Sequence, residues 1–321
     1  MSGVITVETG ARLHFGLFAT QAESGRSFGG VGLMINPPGC HLTVAAAEHD
    51  HFAASHSLAE RLADWLATYR ARCPVKWRPP FCHITVRQEI PLHAGLGAGT
   101  QTALALATAL ARLMKEPHVH TSELARRVER GRRSAIGLHG FEQGGLLAEA
   151  GKQQLDEISP LQSRLEFPTD WRLLLVTPQD RCGLSGDPER HAFARLGPMP
   201  VETTQRLQQI AEQEFFPAVA ARDFKATAAA LFEFGWLNGD YFAPVQGGLF
   251  ADPRMADLAT WLTNHGCRGV GQSSWGPTLF ALCRDPDEAS DWRQQVSSRM
   301  PHDTHVYVTA ARNHGVRVSV G

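Results

Sequence analysis

The chain has 321 residues, 43% hydrophobic and 20% charged, with a formal net charge of −1. This is the composition of a globular protein of one large or two ordinary domains, and the near-neutral charge excludes a body built to hold polyanionic nucleic acid. No stretch reaches the ~18 uninterrupted apolar residues of a membrane span, and the first residues lack the basic-then-apolar layout of a secretory signal, so the cytoplasm is the expected location. Six cysteines, at 40, 73, 82, 182, 267 and 283, form no CxxC pair, which argues against a zinc site or a disulfide scaffold.

Residues 4–18 (VITVETGARLHFGLF) alternate apolar and polar in two runs broken at Gly10. They predict a hairpin or two successive strands, with Arg12 and His14 sharing one face. Residues 19–39, rich in glycine and ending in Pro37-Pro38, read as a loop with a short strand near 31–35; residues 41–47 make another strand. A helix is expected from about Ser57 to Ala71, with Leu58, Leu62, Trp65, Leu66 and Tyr69 on one stripe. A strand from Cys82 to Glu89 then meets Pro91 and three glycines, Gly95, Gly97 and Gly99, before an alanine-rich helical segment that runs to Met114.

Thr121 or Ser122 is the expected cap of the next helix, which ends near Gly131. Residues 130–151 are dense in glycine and charge. Residues 172–177 (RLLLVT) read as a buried strand, and 180–193 as a loop passing into a helix. Helices are expected over about 201–221, kinked or split at Pro217, and over 223–237, followed by a glycine loop at 244–248 and a helix at 253–264. A second glycine loop begins at Gly269 and leads to a strand at 278–283, a helix from Pro286 to about Met300, and closing strands at 304–310 and 316–320. The order fits an α+β protein of two lobes, divided here as 1–165 and 166–321.

The glycine turn feeding a helix N-terminus is the first candidate site. Glycine lets backbone approach a ligand, and free N–H groups with the helix dipole favour phosphate; Thr100, Gln101 and Thr102 add side-chain donors. A tight turn with no ligand is the other reading. Arg126, Arg127, Arg130, Arg132 and Arg133 crowd into eight residues opposed only by Glu129. They make either a solvated helix face or a set of forks for phosphate or carboxylate. Glu142, between Gly140 and Gly144, has a hydroxyl, a metal or nothing as its partner. Asp180, Asp187 and Glu189 are open to hydroxyl or magnesium contacts or to solvent alone. Gln272, Ser273, Ser274 and Trp275 cluster donors in one loop, where the indole either stacks on a ligand ring or packs. No GxSxG or HExxH is present.

These motifs resemble a known family. PLHAGLGAGTQTA resembles the phosphate loop of the GHMP kinase superfamily, Pro-x-x-x-Gly-Leu-Gly-Ser-Ser-Ala, and residues 269–282 its C-terminal glycine motif. More specifically, ARLHFGL (11–17), GLGAGTQ (95–101), GRRSAIGLHGFEQGG (131–145), GLSGDPE (183–189), QGG (246–248) and GQSSWGPT (271–278) resemble the β-ribofuranosylaminobenzene 5′-phosphate synthase family of tetrahydromethanopterin biosynthesis. Two departures from the kinases matter. Ala98 and Gly99 replace the loop serines, and Gly137 stands where the kinase pattern Ser-Gly-Ile-Asp puts its catalytic aspartate.

The resemblance implies a ribosomal protein S5 domain 2-like N-terminal lobe and a ferredoxin-like C-terminal lobe. It implies joining of phosphoribosyl pyrophosphate to 4-hydroxybenzoate or 4-aminobenzoate as a C-riboside, with release of carbon dioxide and pyrophosphate. It also implies a magnesium-dependent, homodimeric enzyme with no nucleic-acid or membrane partner. On the matching positions, Gly95, Gly97, Gly99, Thr100, Gln101 and Arg130 are expected to hold pyrophosphate or phosphate. Arg12, His14, Glu142 and Arg133 are the catalytic candidates, and Gln272, Ser273, Ser274 and Trp275 are expected against the 5-phosphate or the ring. An ATP-dependent small-molecule kinase and a non-catalytic binding module on the same fold are the alternatives.

Overall fold

A computed structural model of the chain describes residues 3–20, 26–154, 157–180, 183 and 187–321, the side chains of 187–190 excepted. Two long antiparallel strands, β1 (Ile5–Leu17) and β2 (Gly30–Ala46), form its spine. They replace the broken hairpin and the loop with a short strand expected from sequence. Gly10 pairs with Gly39 and Ala11 with Ile35, so Asn36, Pro37 and Pro38 bulge from β2 without ending it. Proline cannot donate to a ladder, and a bulge removes that requirement. Apolar residues on both sides of the bulge then keep the strand buried.

The chain continues through β3 (His51–Ala53), α1 (His56–Arg72), β4 (Cys82–Gln88), α2 (Ala98–Leu113), α3 (Thr121–Arg127), α4 (Ile136–Gln143), β5 (Leu146–Glu149) and β6 (Leu161–Leu165). The glycine- and charge-dense stretch at 130–151 thus holds a helix and a strand, and β6 carries no alternation to announce it. His120, not Thr121 or Ser122, occupies the cap position of α3 and makes no side-chain cap, and the helix stops short of Gly131. β7 (Arg172–Pro178) is followed by α5 (Asp187–Arg195), α6 (Val201–Gln209), a π-helical turn at Ile210–Phe215, and α7 (Phe216–Ala220). The π turn absorbs the missing N–H of Pro217, so the segment continues instead of splitting. α8 (Phe224–Gln246) runs nine residues past its expected end, through Pro244, before Gly247 closes it with φ +90°. Then come α9 (Pro253–Asn264), β8 (Arg268–Gln272), β9 (Leu279–Cys283), α10 (Pro286–Arg299), β10 (Thr304–Ala311) and β11 (Arg317–Val320).

Among the described residues the strands join in one sheet of order β11-β1-β2-β10-β7-β9-β8, with β4 and β5 also bonded to β2. β10 links the halves, pairing β7 along its length and β2 at Ala310 and Ala311. β7 and β9 are buried on both faces, which is why they read as continuous apolar runs. Leu173, Leu175, Phe280 and Leu282 face the main core, and Leu174, Val176, Leu279 and Ala281 face a second core under α9 and α10. α2 is buried almost all round because β1 and β2 lie beneath it and other helices cover it; its alanines allow the close approach. No helix among the described residues is long and apolar enough to cross a membrane.

Of the arginine group, Arg127 is 3% exposed and forks onto Glu116 at 2.7 and 2.9 Å, with Tyr69 Oη a further acceptor. Removing Glu116 leaves this buried guanidinium with Glu123, half exposed and 3.1 Å from its Nε, as its counter-charge. Glu116→Ala should therefore lower stability in urea unfolding by about 3–5 kcal/mol, and Glu116→Leu combined with Arg127→Met should recover part of that loss.

Candidate active site

The glycine loop is held from outside itself. The N–H of Arg12, on β1, donates to Leu96 O (2.9 Å). Ser273, between β8 and β9, donates its hydroxyl to Gly95 O (2.8 Å) and accepts the N–H of His14 (3.1 Å). The N–H of Ser274 donates to His14 O (2.9 Å). A side chain at Gly95 has no room: its Cβ would lie 2.3 Å from Ser273 O, at φ +77°. Gly97, at φ +73°, caps α2 with no side-chain acceptor in place. The N–H groups of Thr100 and Gln101 reach Gly97 O, those of Ala98 and Gly99 have no backbone partner among the described residues, and the positive end of the helix dipole meets a cavity of about 1040 Å³.

Arginines ring that end. Arg12, Arg61, Arg130, Arg132 and Arg133 all line the cavity. One nitrogen each of Arg61 and Arg130 lies 3.9 Å from where a Cβ on Gly99 would stand. Arg61, from α1, donates to His93 Nε2 (3.0 Å); burial and that guanidinium lower His93, so it accepts as a neutral ring. Burial, and then the like charges of Arg61, Arg133 and Arg132 against the pull of Glu129, lower Arg130 to about 10. Arg130 Nε has no hydrogen-bond partner among the described residues, and its guanidinium sits 5.1 Å from the Trp65 ring. Among the described residues, the carboxylates lining the cavity are Asp64, which is exposed, and Glu129, which is paired with Arg72 and Arg132. Clustered cations with so little counter-charge make an anion site.

Another part of the lining is aromatic. Arg133 lies 5.8 Å over the Phe193 ring, which meets Trp275 at 5.1 Å, and Trp275 meets Phe242 at 4.6 Å. Trp275 is thus part of a packed cluster that also borders the cavity. Gly95, Gly97, Gly99, Thr100, Gln272 and Ser274 line the cavity as well.

Other expected site residues go elsewhere. Gln101 is buried under the loop, accepting from Thr9 Oγ1 (2.8 Å) and donating to Gly137 O (2.6 Å), so its amide is not turned to a phosphate. Ser273 braces the two loops. Gln272 spends both ends of its amide on Ala251 N–H, Gln246 Oε1 and Ser274 O. Glu142 is in the last turn of α4 rather than a loop; it is exposed and does not line the cavity. Asp180 pairs with Arg254 (2.7 Å). The side chains of Asp187 and Glu189, and residues 184–186 of the GLSGDPE motif, lie outside the described residues. Among the described residues no cluster of three His, Cys, Asp or Glu is placed to hold a metal.

The sequence reading missed Arg61, Phe193, Phe242, Ser134 and Glu149. His14, 5% exposed, is lowered well below the usual imidazole range by burial and then by Arg12, and its Nε2 lies 3.1 Å from Ser134 Oγ. Glu149, on β5, is fully buried and accepts the N–H of Ala135 (2.6 Å). Burial pushes its carboxyl up to about 7, against the lowering effects of Ser134, Ala135 N–H, Ser159 and Arg12. A lone acid in the apolar run LLAEA was the available signal.

That shift has a consequence for stability. Below the ordinary 4.5 of Glu149, folded and unfolded chains both hold the proton. As pH rises from 4.5 to about 7 the unfolded chain releases it first, and the fold loses on the order of 3 kcal/mol. Glu149→Gln should unfold at higher urea than the wild type above pH 7, the gap closing toward pH 4.5.

Comparison with known proteins adds a family. Residues 57–143 match the GHMP kinases N terminal domain, and residues 215–302 the GHMP kinases C terminal domain. Similar curated relatives include a beta-ribofuranosylphenol 5′-phosphate synthase of Methanothermobacter thermautotrophicus, 28% identical over 97% of both chains. Another of that name, from Archaeoglobus fulgidus, is 28% identical over 99% of this chain and 100% of its own. Among solved structures, mevalonate diphosphate decarboxylase from Enterococcus faecalis superposes with a TM-score of 0.66 at 13% identity, over 99% of each chain. Homoserine kinase from Cytophaga hutchinsonii does so with a TM-score of 0.61 at 16%, over 99% of this chain and 98% of its own. Both halves of this protein carry GHMP kinase domains, the two together spanning more than half its length, and the chain belongs to the GHMP kinase superfamily.

Proposed function

We propose that this protein is a β-ribofuranosylphenol 5′-phosphate synthase, a transferase that joins phosphoribosyl pyrophosphate to 4-hydroxybenzoate and releases pyrophosphate and carbon dioxide. The relatives' names favour the hydroxy over the amino substrate. The observation that carries the reading is the anion site at the head of α2, ringed by Arg12, Arg61, Arg130 and Arg133 and continuous with an aromatic wall.

Pyrophosphate meets the free N–H groups of α2, Thr100, Arg61 and Arg130. As the bond to ribose C1 breaks, charge grows on the leaving group, and these preorganised donors stabilise it. The benzoate ring fits the wall of Phe193, Phe242 and Trp275, with Arg133 facing its carboxylate. That places the ring carbon bearing the carboxylate toward C1. His14 faces the para hydroxyl. Magnesium fits as an ion carried on diphosphate oxygens, with Asp64 the carboxylate in reach, and would supply further charge to the leaving group. The same reading takes the enzyme to be a cytoplasmic homodimer acting in tetrahydromethanopterin biosynthesis.

The kinase alternative has a specific observation against it. A Cβ on Gly137, where the kinase aspartate belongs, would lie 3.2 Å from the Thr100 methyl and 3.5 Å from Gln101 Nε2. A side chain there would have to push the Thr100 methyl aside, and glycine supplies no carboxylate at this position to orient an accepting hydroxyl.

Carboxyl-labelled 4-hydroxybenzoate should lose its label as carbon dioxide only when phosphoribosyl pyrophosphate is present, with pyrophosphate formed in equal amount. Turnover of ATP with a sugar or mevalonate-like alcohol, and none with this pair, would establish the kinase instead. Arg130→Ala should raise KM for phosphoribosyl pyrophosphate roughly 10- to 100-fold, the worth of a charged hydrogen bond, and leave KM for 4-hydroxybenzoate nearly unchanged.

A further inference from the structure

His14 faces the cavity with a poor environment for a base. Arg12 is two residues away on the same strand, and burial disfavours an imidazolium. Yet the chain spends an acid behind it. Glu149 has one oxygen on Ala135 N–H, while the other, Oε1, has no hydrogen-bond partner among the described residues. Ser134 adjoins Ala135, whose N–H the carboxylate of Glu149 holds, and its hydroxyl, like that of Ser159, lowers Glu149; its Oγ also meets His14 Nε2 at 3.1 Å. Ser134 Oγ also accepts the N–H of Ile136 (3.2 Å), so its single proton is left to go one way along this row. Burying a carboxylate this deep is costly unless something uses it.

We propose that Glu149 and Ser134 are positioning residues that hold His14 as the proton acceptor for the phenol of the substrate. This rests on the synthase reading above. With Glu149 ionised, Ser134 donates to it and accepts from His14 Nε2–H. That fixes the tautomer and leaves Nδ1, which makes no hydrogen bond among the described residues, as the free acceptor. As the ring carbon bearing the carboxylate bonds to ribose C1, the C1–oxygen pair leaves with pyrophosphate and the phenol O–H gives its proton to Nδ1. The ring becomes a dienone. The carbon–carboxylate bond then breaks, its electron pair returns to the ring as a phenolate, and carbon dioxide departs. The proton returns from His14, so the row is regenerated. The carboxylate of Glu149 offsets the imidazolium charge beside Arg12. Lys152 is turned to Gly131 O (2.9 Å) and His139 to Ser159 O (2.8 Å), while Arg133 lines the same cavity as His14.

The test compares 4-hydroxybenzoate with 3,5-difluoro-4-hydroxybenzoate, whose phenol is already ionised at neutral pH and needs no base. Fluorine's effect on the ring is common to all enzymes, so the readout is the ratio of variant to wild-type kcat on each substrate. Glu149→Gln should fall ~100-fold on 4-hydroxybenzoate, the usual worth of a positioned base, and less than ~5-fold on the difluoro compound. Ser134→Ala should show the same pattern, and carries the test should Glu149→Gln fail to fold by its melting curve. Equal losses on both substrates, or no loss on either, overturn the proposal while leaving the synthase reading intact. A wild type inactive on both substrates overturns both.

Discussion

The backbone of β1 at Arg12 and His14 is the constraint on which the site depends. Three hydrogen bonds leave this short piece of strand, from Arg12 N–H to Leu96 and between His14 and the turn at Ser273 and Ser274. A fourth, from Ser273 to Gly95, closes the circuit between loops 178 residues apart in sequence. A strand in a sheet does not move freely, so both loops inherit its rigidity. The glycine at 95 is required here less for turning than for the contact, because Ser273 O occupies the place of its Cβ.

On that frame the electrostatics divide cleanly. Arginines from β1, α1 and the loop after α3 converge on the head of α2, with little acid to balance them. Their mutual repulsion is eased because several guanidiniums have other support: Arg130 lies over Trp65, Arg133 over Phe193, Arg61 donates to His93, and Arg132 pairs with Glu129. Besides Asp64 and Glu129 on the lining, Glu149 is fully buried beside Ala135, and glycine stands at 137, where a phosphoryl transfer would need an acid. One ancient scaffold thus supports different chemistry according to where it keeps its carboxylates.

Local signals in the chain reported on local physics. The stripe of α1 is buried residue for residue as its periodicity required, and the apolar runs at β7 and β9 are buried on both faces. Signals failed where neighbours decided. Proline at 37, 38, 217 and 244 argued for breaks, but a bulge and a π turn accommodated the first three, and α8 runs through Pro244 within its last turn. The arginine group read as one object, yet Arg127 turned inward to Glu116 while Arg130 and Arg133 turned to the cavity, because α3 ends at Arg127 and the later arginines lie on the loop that follows. Gln101 and Glu142 looked like ligand groups by position in a motif, but one packs beneath the loop and the other is exposed on α4.

The amino-acid order alone determined the glycine turn before α2, the lack of an acid at 137 and the apolar periodicities, because each depends on residues within a few positions of one another. It also carried the motifs by which the family was recognised. Tertiary structure alone decided that Arg61 joins Arg130 over Gly99, that Phe193 and Phe242 complete the wall behind Trp275, and that Glu149 backs Ser134 and His14. These groups come from elements tens to hundreds of residues apart. Their charge, burial and protonation arise only when the sheet brings them into one low-dielectric space.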